Sequence, residues 1–209
     1  VNAGKTLFDL YKLTGKEKYR RAMDTVYSQL KEQPRTSTGN FWHKKIYPHQ
    51  IWLDGLYMAQ PFYMQYEAEY NGCKNCEDSY QQFLQVYGRM RDPLNGLYYH
   101  AYDDSRQMFW CDKVTGLSEN FWLRAMGWYA MALIDTMEVM PESMACQKAR
   151  LNAIYKELID AMLPYQDQAT GMWYQVVNRG GIAPNYLEES GSAIFAYAIM
   201  KSVRLHYLP

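Results

Sequence analysis

An all-α fold built from helix pairs is what the sequence predicts, on three observations. Apolar residues recur at spacings of three and four along most of the 209 residues. Glycine and proline interrupt that pattern at intervals. One short peptide returns three times, each time after an amphipathic stretch and a break: Gly39-Asn40-Phe41-Trp42-His43, Gly96-Leu97-Tyr98-Tyr99-His100 and Gly171-Met172-Trp173-Tyr174-Gln175. A chain that repeats a peptide repeats a structure. The glycine suits a tight turn after a helix, the aromatic residues suit a short strand or a stacking surface, and the final imidazole or amide can face a ligand.

Residues 3–14 place Leu7, Leu10, Tyr11 and Leu13 on one side, and Thr14-Gly15 ends the segment. Residues 16–33 continue with Tyr19, Ala22, Met23, Val26, Tyr27 and Leu30 until Pro34 stops them. A third helix is expected over 55–70, dense in Leu56, Met58, Ala59, Phe62 and Tyr63, with Pro61 kinking its first turns. A fourth covers 77–91. The stretch 92–120 is long enough for a short hairpin. Residues 121–139 and 142–164 form two further helices, the second opened by Pro141. Residues 190–205 read as the seventh.

The marker glycines stand 57 and 75 residues apart, and the order helix, helix, aromatic loop recurs between them. Paired helices that each bury one face against a neighbour form either an open solenoid or a closed double ring, the α/α toroid. Closure is favoured, because loops that carry aromatic, acidic and imidazole groups at equivalent places are expected to converge on one funnel.

Composition excludes several classes. A 48% hydrophobic chain of this length forms a globular core, so one domain, 1–209, is expected. Lysine plus arginine equals aspartate plus glutamate at 22 each, which argues against nucleic acid as a partner. No apolar run reaches the roughly 20 residues of a transmembrane helix, and the start does not resemble a signal peptide. Localisation, periplasmic or cytoplasmic, remains open. Aromatic residues make up 16%, with 20 tyrosines and 6 tryptophans, and either interior packing or sugar stacking accounts for them. Cys73-Lys74-Asn75-Cys76 is a weak zinc or redox signal, and unremarkable thiols or one local disulfide are expected instead. Neither a phosphate loop, a nucleophile elbow nor a paired-histidine metal helix of the usual forms is present, so no cofactor and no metal are expected.

The residues also carry a resemblance. Gln33-Pro34-Arg35-Thr36 through Phe41-Trp42-His43-Lys44, Tyr47-Pro48, and Ile51-Trp52-Leu53-Asp54-Gly55-Leu56-Tyr57-Met58-Ala59 resemble glycoside hydrolase family 105, the unsaturated rhamnogalacturonyl hydrolases. Gly96 through Asp103, Asn120 through Tyr129, and Tyr186-Leu187-Glu188-Glu189-Ser190-Gly191-Ser192-Ala193 agree. The resemblance implies an (α/α)6 barrel and a substrate whose nonreducing-end uronic acid carries a C4=C5 double bond. It implies Asp54 as proton donor and later base, with a pKa raised by the apolar Trp52, Leu53 and Leu56. It also implies His43, Trp52, His100, Trp122, Arg124 and Trp128 as substrate-binding residues, the arginine holding the substrate carboxylate and Trp122 and Trp128 flanking the sugar.

Plainer readings stand beside these. Aspartate before a helix is a good N-cap, either histidine can be structural, Arg124 can form a surface ion pair, and the tryptophans can be core. A noncatalytic or degenerate sugar-binding toroid, or an unsaturated glucuronyl hydrolase acting on glycosaminoglycan fragments, are the functional alternatives. A sugar epimerase of this shape would want more histidines than the four present. The family pattern has a second essential aspartate just ahead of Asn-x-Gly-Lys, here Asn2-Ala3-Gly4-Lys5, and six hairpins need twelve helices. The chain is therefore expected to hold the central portion of the ring, monomeric at full length but by itself weakly stable or self-associating and of little activity.

Overall fold

The computed structural model describes all residues, 1–209. Seven helices carry it: α1 (Lys5–Thr14), α2 (Glu17–Lys31), α3 (Leu53–Tyr70), α4 (Cys76–Met90), α5 (Leu123–Val139), α6 (Ala145–Met162) and α7 (Glu189–Arg204). Each of the seven expected helices is present, with ends moved by a few residues. Two short strands, β1 (Gln50–Trp52) and β2 (Ala101–Asp103), pair antiparallel.

α5 lies between α3 and α7, while α4 backs α3 and α6 backs α5. α1 pairs with α2, and the turn Asn2–Gly4 ahead of α1 packs on α3. Alternate helices thus form an inner row, α1, α3, α5 and α7, and an outer row, α2, α4 and α6: an arc of an α/α toroid. Burial follows the row. α5 has neighbours on several sides and buries Leu123, Ala125, Met126, Tyr129, Ala130, Leu133, Ile134 and Met137. α2 has one covered face and buries only Met23, Tyr27 and Leu30. α5 and α7 approach closely because glycines face the contact: a Cβ on Gly127 would lie 2.8 Å from Ile194 Cγ2, and one on Gly191 2.6 Å from Leu123 Cγ.

Part of the aromatic surplus is interior, and of the six tryptophans only Trp173 is buried. Tyr98, Tyr102, Tyr129 and Tyr155 are among the largest fully buried side chains. A second, smaller cluster of Phe8, Met23, Tyr27, Leu30, Phe41, Phe62, Tyr63 and Tyr66 joins α1 and α2 to α3. Glu67, wholly buried beneath it, accepts bonds from Tyr27, Asn71 and Asn75, which compensate its lost hydration and hold its carboxyl below the ordinary glutamate value. Cys73 and Cys76 form a local disulfide between α3 and α4, and Cys111 and Cys146 are free. No helix is long and apolar enough to cross a membrane, and no three His, Cys, Asp or Glu side chains are grouped to hold a metal ion.

The region 92–120 departs from the expected hairpin. β2 takes its partner from the first aromatic loop, with Gln50 opposite Asp103 and Trp52 opposite Ala101, and the returning chain meets it through one bridge, Tyr102 to Leu117, while Ser118 bridges Cys111. α3 also starts two residues earlier than expected and runs unbroken through Pro61.

Candidate active site

The three aromatic peptides share one geometry. Their glycines all have positive φ, 98° at Gly39, 77° at Gly96 and 72° at Gly171, a left-handed conformation that glycine adopts without strain. The last residue of each copy donates its backbone N–H to the chain that leads into the next inner helix: His43 to Gln50 O, His100 to Asn120 O and Gln175 to Tyr186 O. Carbonyls run the other way. His100 O accepts from Leu53 N at 3.1 Å and Gln175 O from Leu123 N at 2.8 Å, so the second and third loops each satisfy the first amide of the inner helix before them.

This bonding puts residues from three repeats into register at one end of the arc. Trp52, Trp122 and Glu188 directly precede α3, α5 and α7, and Asp54, Arg124 and Ser190 are each the second residue of their helix. The N-cap of α3 is Trp52, with no side-chain capping bond, so the N-cap reading of Asp54 is overturned: the neighbouring loop already occupies the helix start. The carboxylate has no capping role, and the Asp54 side chain stays 25% exposed at this end of the arc. The aligned N-termini of α3, α5 and α7 add partial positive charge there.

Asp54 Oδ2 lies 3.2 Å from His100 Nε2, within ion-pair distance but not aligned as a hydrogen bond. Burial pushes the Asp54 carboxyl up, but the His100 imidazole, the aspartate's own backbone N–H and His43 together pull it further down. Its pKa ends below the ordinary aspartate value. The expected upward shift is thus reversed, because apolar neighbours are outweighed by an imidazole 46 positions away in the chain.

His43 stacks on Trp52. Its ring is parallel to the indole at 4.7 Å, and Tyr47 is parallel to the same indole at 5.3 Å. Burial lowers the His43 pKa to about 4 despite the pull of Asp54, so the ring is neutral at neutral pH. Its Nδ1 has no hydrogen-bond partner, and a Cβ on Gly55 would come within 3.1 Å of that nitrogen. The glycine of Trp-Leu-Asp-Gly makes room for the histidine. Trp52 itself donates Nε1–H to Gln50 Oε1 and meets His100 edge-on at 5.1 Å, while Trp122 lies nearly parallel to His100 at 6.3 Å. A cavity of about 480 Å³ is lined by Trp52, His100 and Trp122 together with Phe109, Trp110 and Asn120.

Two expected residues sit differently. Arg124 donates through Nη1 to Glu188 Oε1 at 3.1 Å and to Ser190 Oγ at 3.0 Å, the ion pair weighed against a substrate contact. Glu188 also caps α7 by accepting from Ser190 N and Gly191 N; these bonds outweigh its burial and keep its carboxyl below the ordinary value. Trp128 does not flank Trp122. Its ring rests on Tyr57 at 4.9 Å, and Tyr57 and Trp128 follow Asp54 and Arg124 by three and four residues on α3 and α5, about one turn deeper. The Trp128 ring thus packs against α3 through Tyr57.

Tyr47, Tyr57, Glu188 and Ser190 escaped the sequence reading as site residues. Aligning the segments ahead of each inner helix would have exposed the last two, since they occupy the places of Trp52 and Asp54.

Fold and site define an α/α toroid with a mouth walled by indoles and built around a carboxylate–imidazole pair. The family model described as Glycosyl Hydrolase Family 88 matches residues 1–209. A solved structure described as a C. acetobutylicum glycoside hydrolase from family 105 is 48% identical, covers 99% of this chain and 57% of its own, and superposes with a TM-score of 0.94. Unsaturated rhamnogalacturonyl hydrolase YesR of Bacillus subtilis is 29% identical over 99% of this chain and 58% of its own length. Protein Atu3128 of Agrobacterium fabrum is 38% identical over 72% of this chain and 63% of its own. The chain belongs to Glycosyl Hydrolase Family 88 and stands with the family 105 members of that group. It spans somewhat more than half the length of the relatives it matches.

Proposed function

We propose that this chain carries the catalytic mouth of a glycosidase that removes a C4=C5-unsaturated uronic acid from the nonreducing end of rhamnogalacturonan oligosaccharides. The observation that supports it most directly is the Asp54–His100 pair, 3.2 Å apart between two indoles, in a chain of this family. The unsaturated ring is an enol ether. A carboxylic acid protonates C4, and the positive charge is shared by C5 and the ring oxygen. Water adds at C5 and gives up its proton; the resulting hemiketal opens to a C5 ketone, and the hemiacetal left at C1 opens to release the next sugar as an alcohol.

Asp54 is the proton donor and then the base that takes the proton from water. Its lowered pKa describes the unliganded pair. A bound uronate adds a negative charge beside Asp54, which raises that pKa toward the acid form the first step needs. His100 and neutral His43 orient the carboxyl and the water, and Trp52 and Trp122 bound the ring. Arg124, held by one nitrogen, keeps the rest of its guanidinium for the substrate carboxylate.

YesR is named for rhamnogalacturonan, which favours that substrate over glycosaminoglycan fragments. Loss of the ultraviolet absorbance of the conjugated alkene, followed separately on rhamnogalacturonan-lyase and chondroitin-lyase products, tests both choices. Asp54→Asn keeps the side-chain shape and removes the acid, so turnover should fall at least a thousandfold, the upper range for loss of an acid–base group. Near-normal turnover by that variant would refute the assignment. Binding of the oligosaccharide with no loss of the alkene in the wild type would favour a noncatalytic toroid.

A further inference from the structure

One exposed aromatic residue has no role in the core. Phe109 is 90% exposed, yet it lines the same cavity as Trp52, His100 and Trp122, and Trp110 beside it lines that cavity and an adjoining cleft formed with Tyr99, Val114 and Leu117. The segment that presents them is tightly held. Asp103, 0% exposed, accepts from Ser105 N, Ser105 Oγ, Gln107 N and Met108 N at 2.8–3.1 Å. Lys113 Nζ bonds Met108 O at 2.6 Å, and Asp104 accepts from Ser37 N and Oγ at 2.8 and 2.9 Å, tying the segment to the first aromatic loop. The chain returns across Tyr102 at Gly116, whose φ is +79° and where a Cβ would lie 2.6 Å from Asp103 O. A large apolar ring held in water by a pinned loop, at the rim of a sugar-sized cavity, is placed for contact with a ligand.

We propose that Phe109 and Trp110 form a stacking platform for the sugar attached to the unsaturated uronate, and that the platform selects an uncharged sugar. The proposal rests on the activity put forward above. Sharing a cavity with Trp52, His100 and Trp122 puts the platform beside the Asp54–His100 pair, within reach of the sugar that follows the uronate. Aromatic faces take the C–H face of a sugar ring. The charged groups facing the cavity select by sign: apart from His100 the ionisable lining residue is Glu119, whose only cation is Arg179 at 3.7 Å, so a carboxylate on the leaving sugar would meet a carboxylate on the rim.

The test compares a lyase-made disaccharide that ends in rhamnose with the methyl glycoside of the same unsaturated uronate. Phe109→Ala should lower the ratio of kcat/KM, disaccharide over methyl glycoside, about tenfold, while Phe109→Tyr keeps it within about twofold. The same ratio is read as affinities by titration calorimetry on an Asp54→Asn background, so the platform is tested even if hydrolysis is not the activity. If neither probe is hydrolysed by wild type while the affinity ratio falls as stated, the platform stands and the hydrolase reading fails. An unchanged ratio in Phe109→Ala overturns the platform. A wild-type preference for a disaccharide with galacturonate as leaving sugar overturns the selection by charge.

Discussion

Acidification should destabilise the folded chain through His43. Burial among Trp52, Tyr47 and Gly55 lowers its pKa from 6.5 to about 4. Between those values the unfolded chain binds a proton that the folded chain does not, so stability falls as pH falls through this window and is unaffected above it. The shift corresponds to about 3 kcal/mol when the window is fully crossed and about 2 kcal/mol at pH 5, a sizeable share of a typical domain's stability. Carboxyls held below their ordinary values, among them Asp54, Glu67, Asp103 and Glu188, lose stabilisation mainly at lower pH, and a variant separates the two effects. Urea unfolding of wild type and His43→Gln from pH 7.5 to 4.5 is the assay. The glutamine variant loses ring stacking and is less stable at pH 7.5, but it lacks the histidine titration, so the two proteins should converge as pH falls. Parallel decline of both, or a directly titrated His43 near 6.5, would refute the reasoning.

The remaining predictions concern Arg124 and the α5–α7 contact. Arg124→Ala should raise KM for uronate substrates more than for an uncharged analogue, measured by alkene loss and by competition. It should change stability by under about 1 kcal/mol in urea, because the arginine is more than a third exposed and Glu188 keeps its bonds to Ser190 and Gly191. Equal losses on charged and uncharged ligands would contradict the carboxylate role. Gly127→Ala puts a methyl 2.8 Å from Ile194 Cγ2 and should destabilise by about 1–3 kcal/mol, with the deficit partly recovered by Ile194→Val; an unchanged unfolding midpoint would mean that the helices separate freely.

The helices, the repeat and the family were legible in the chain because each depends on neighbours a few residues apart. Apolar spacing along 16–33 and 121–139 marks one covered face or several, and glycine at 39, 96 and 171 marks a left-handed turn wherever the loop ends up. A related turn was overlooked: Asp92, Asp112 and Asp167 each accept, at the backbone carbonyl, from the glycine four residues on, and Asp112 to Gly116 repeats the pattern without the aromatic tail. Asp54, His43 and His100 stand out by motif, but their protonation and pairing are set by partners from distant segments. His100 inverts the expected pKa shift of Asp54, Glu188 engages Arg124, and Tyr57 packs against Trp128. The loop that lifts Phe109 toward the cavity likewise depends on Asp103 and on Ser37 across the first repeat. Secondary structure and motifs are properties of adjacent residues, which the sequence alone determines here. Protonation and pairing depend on distances of a few ångströms between residues tens of positions apart, and those exist only once the inner helices have aligned.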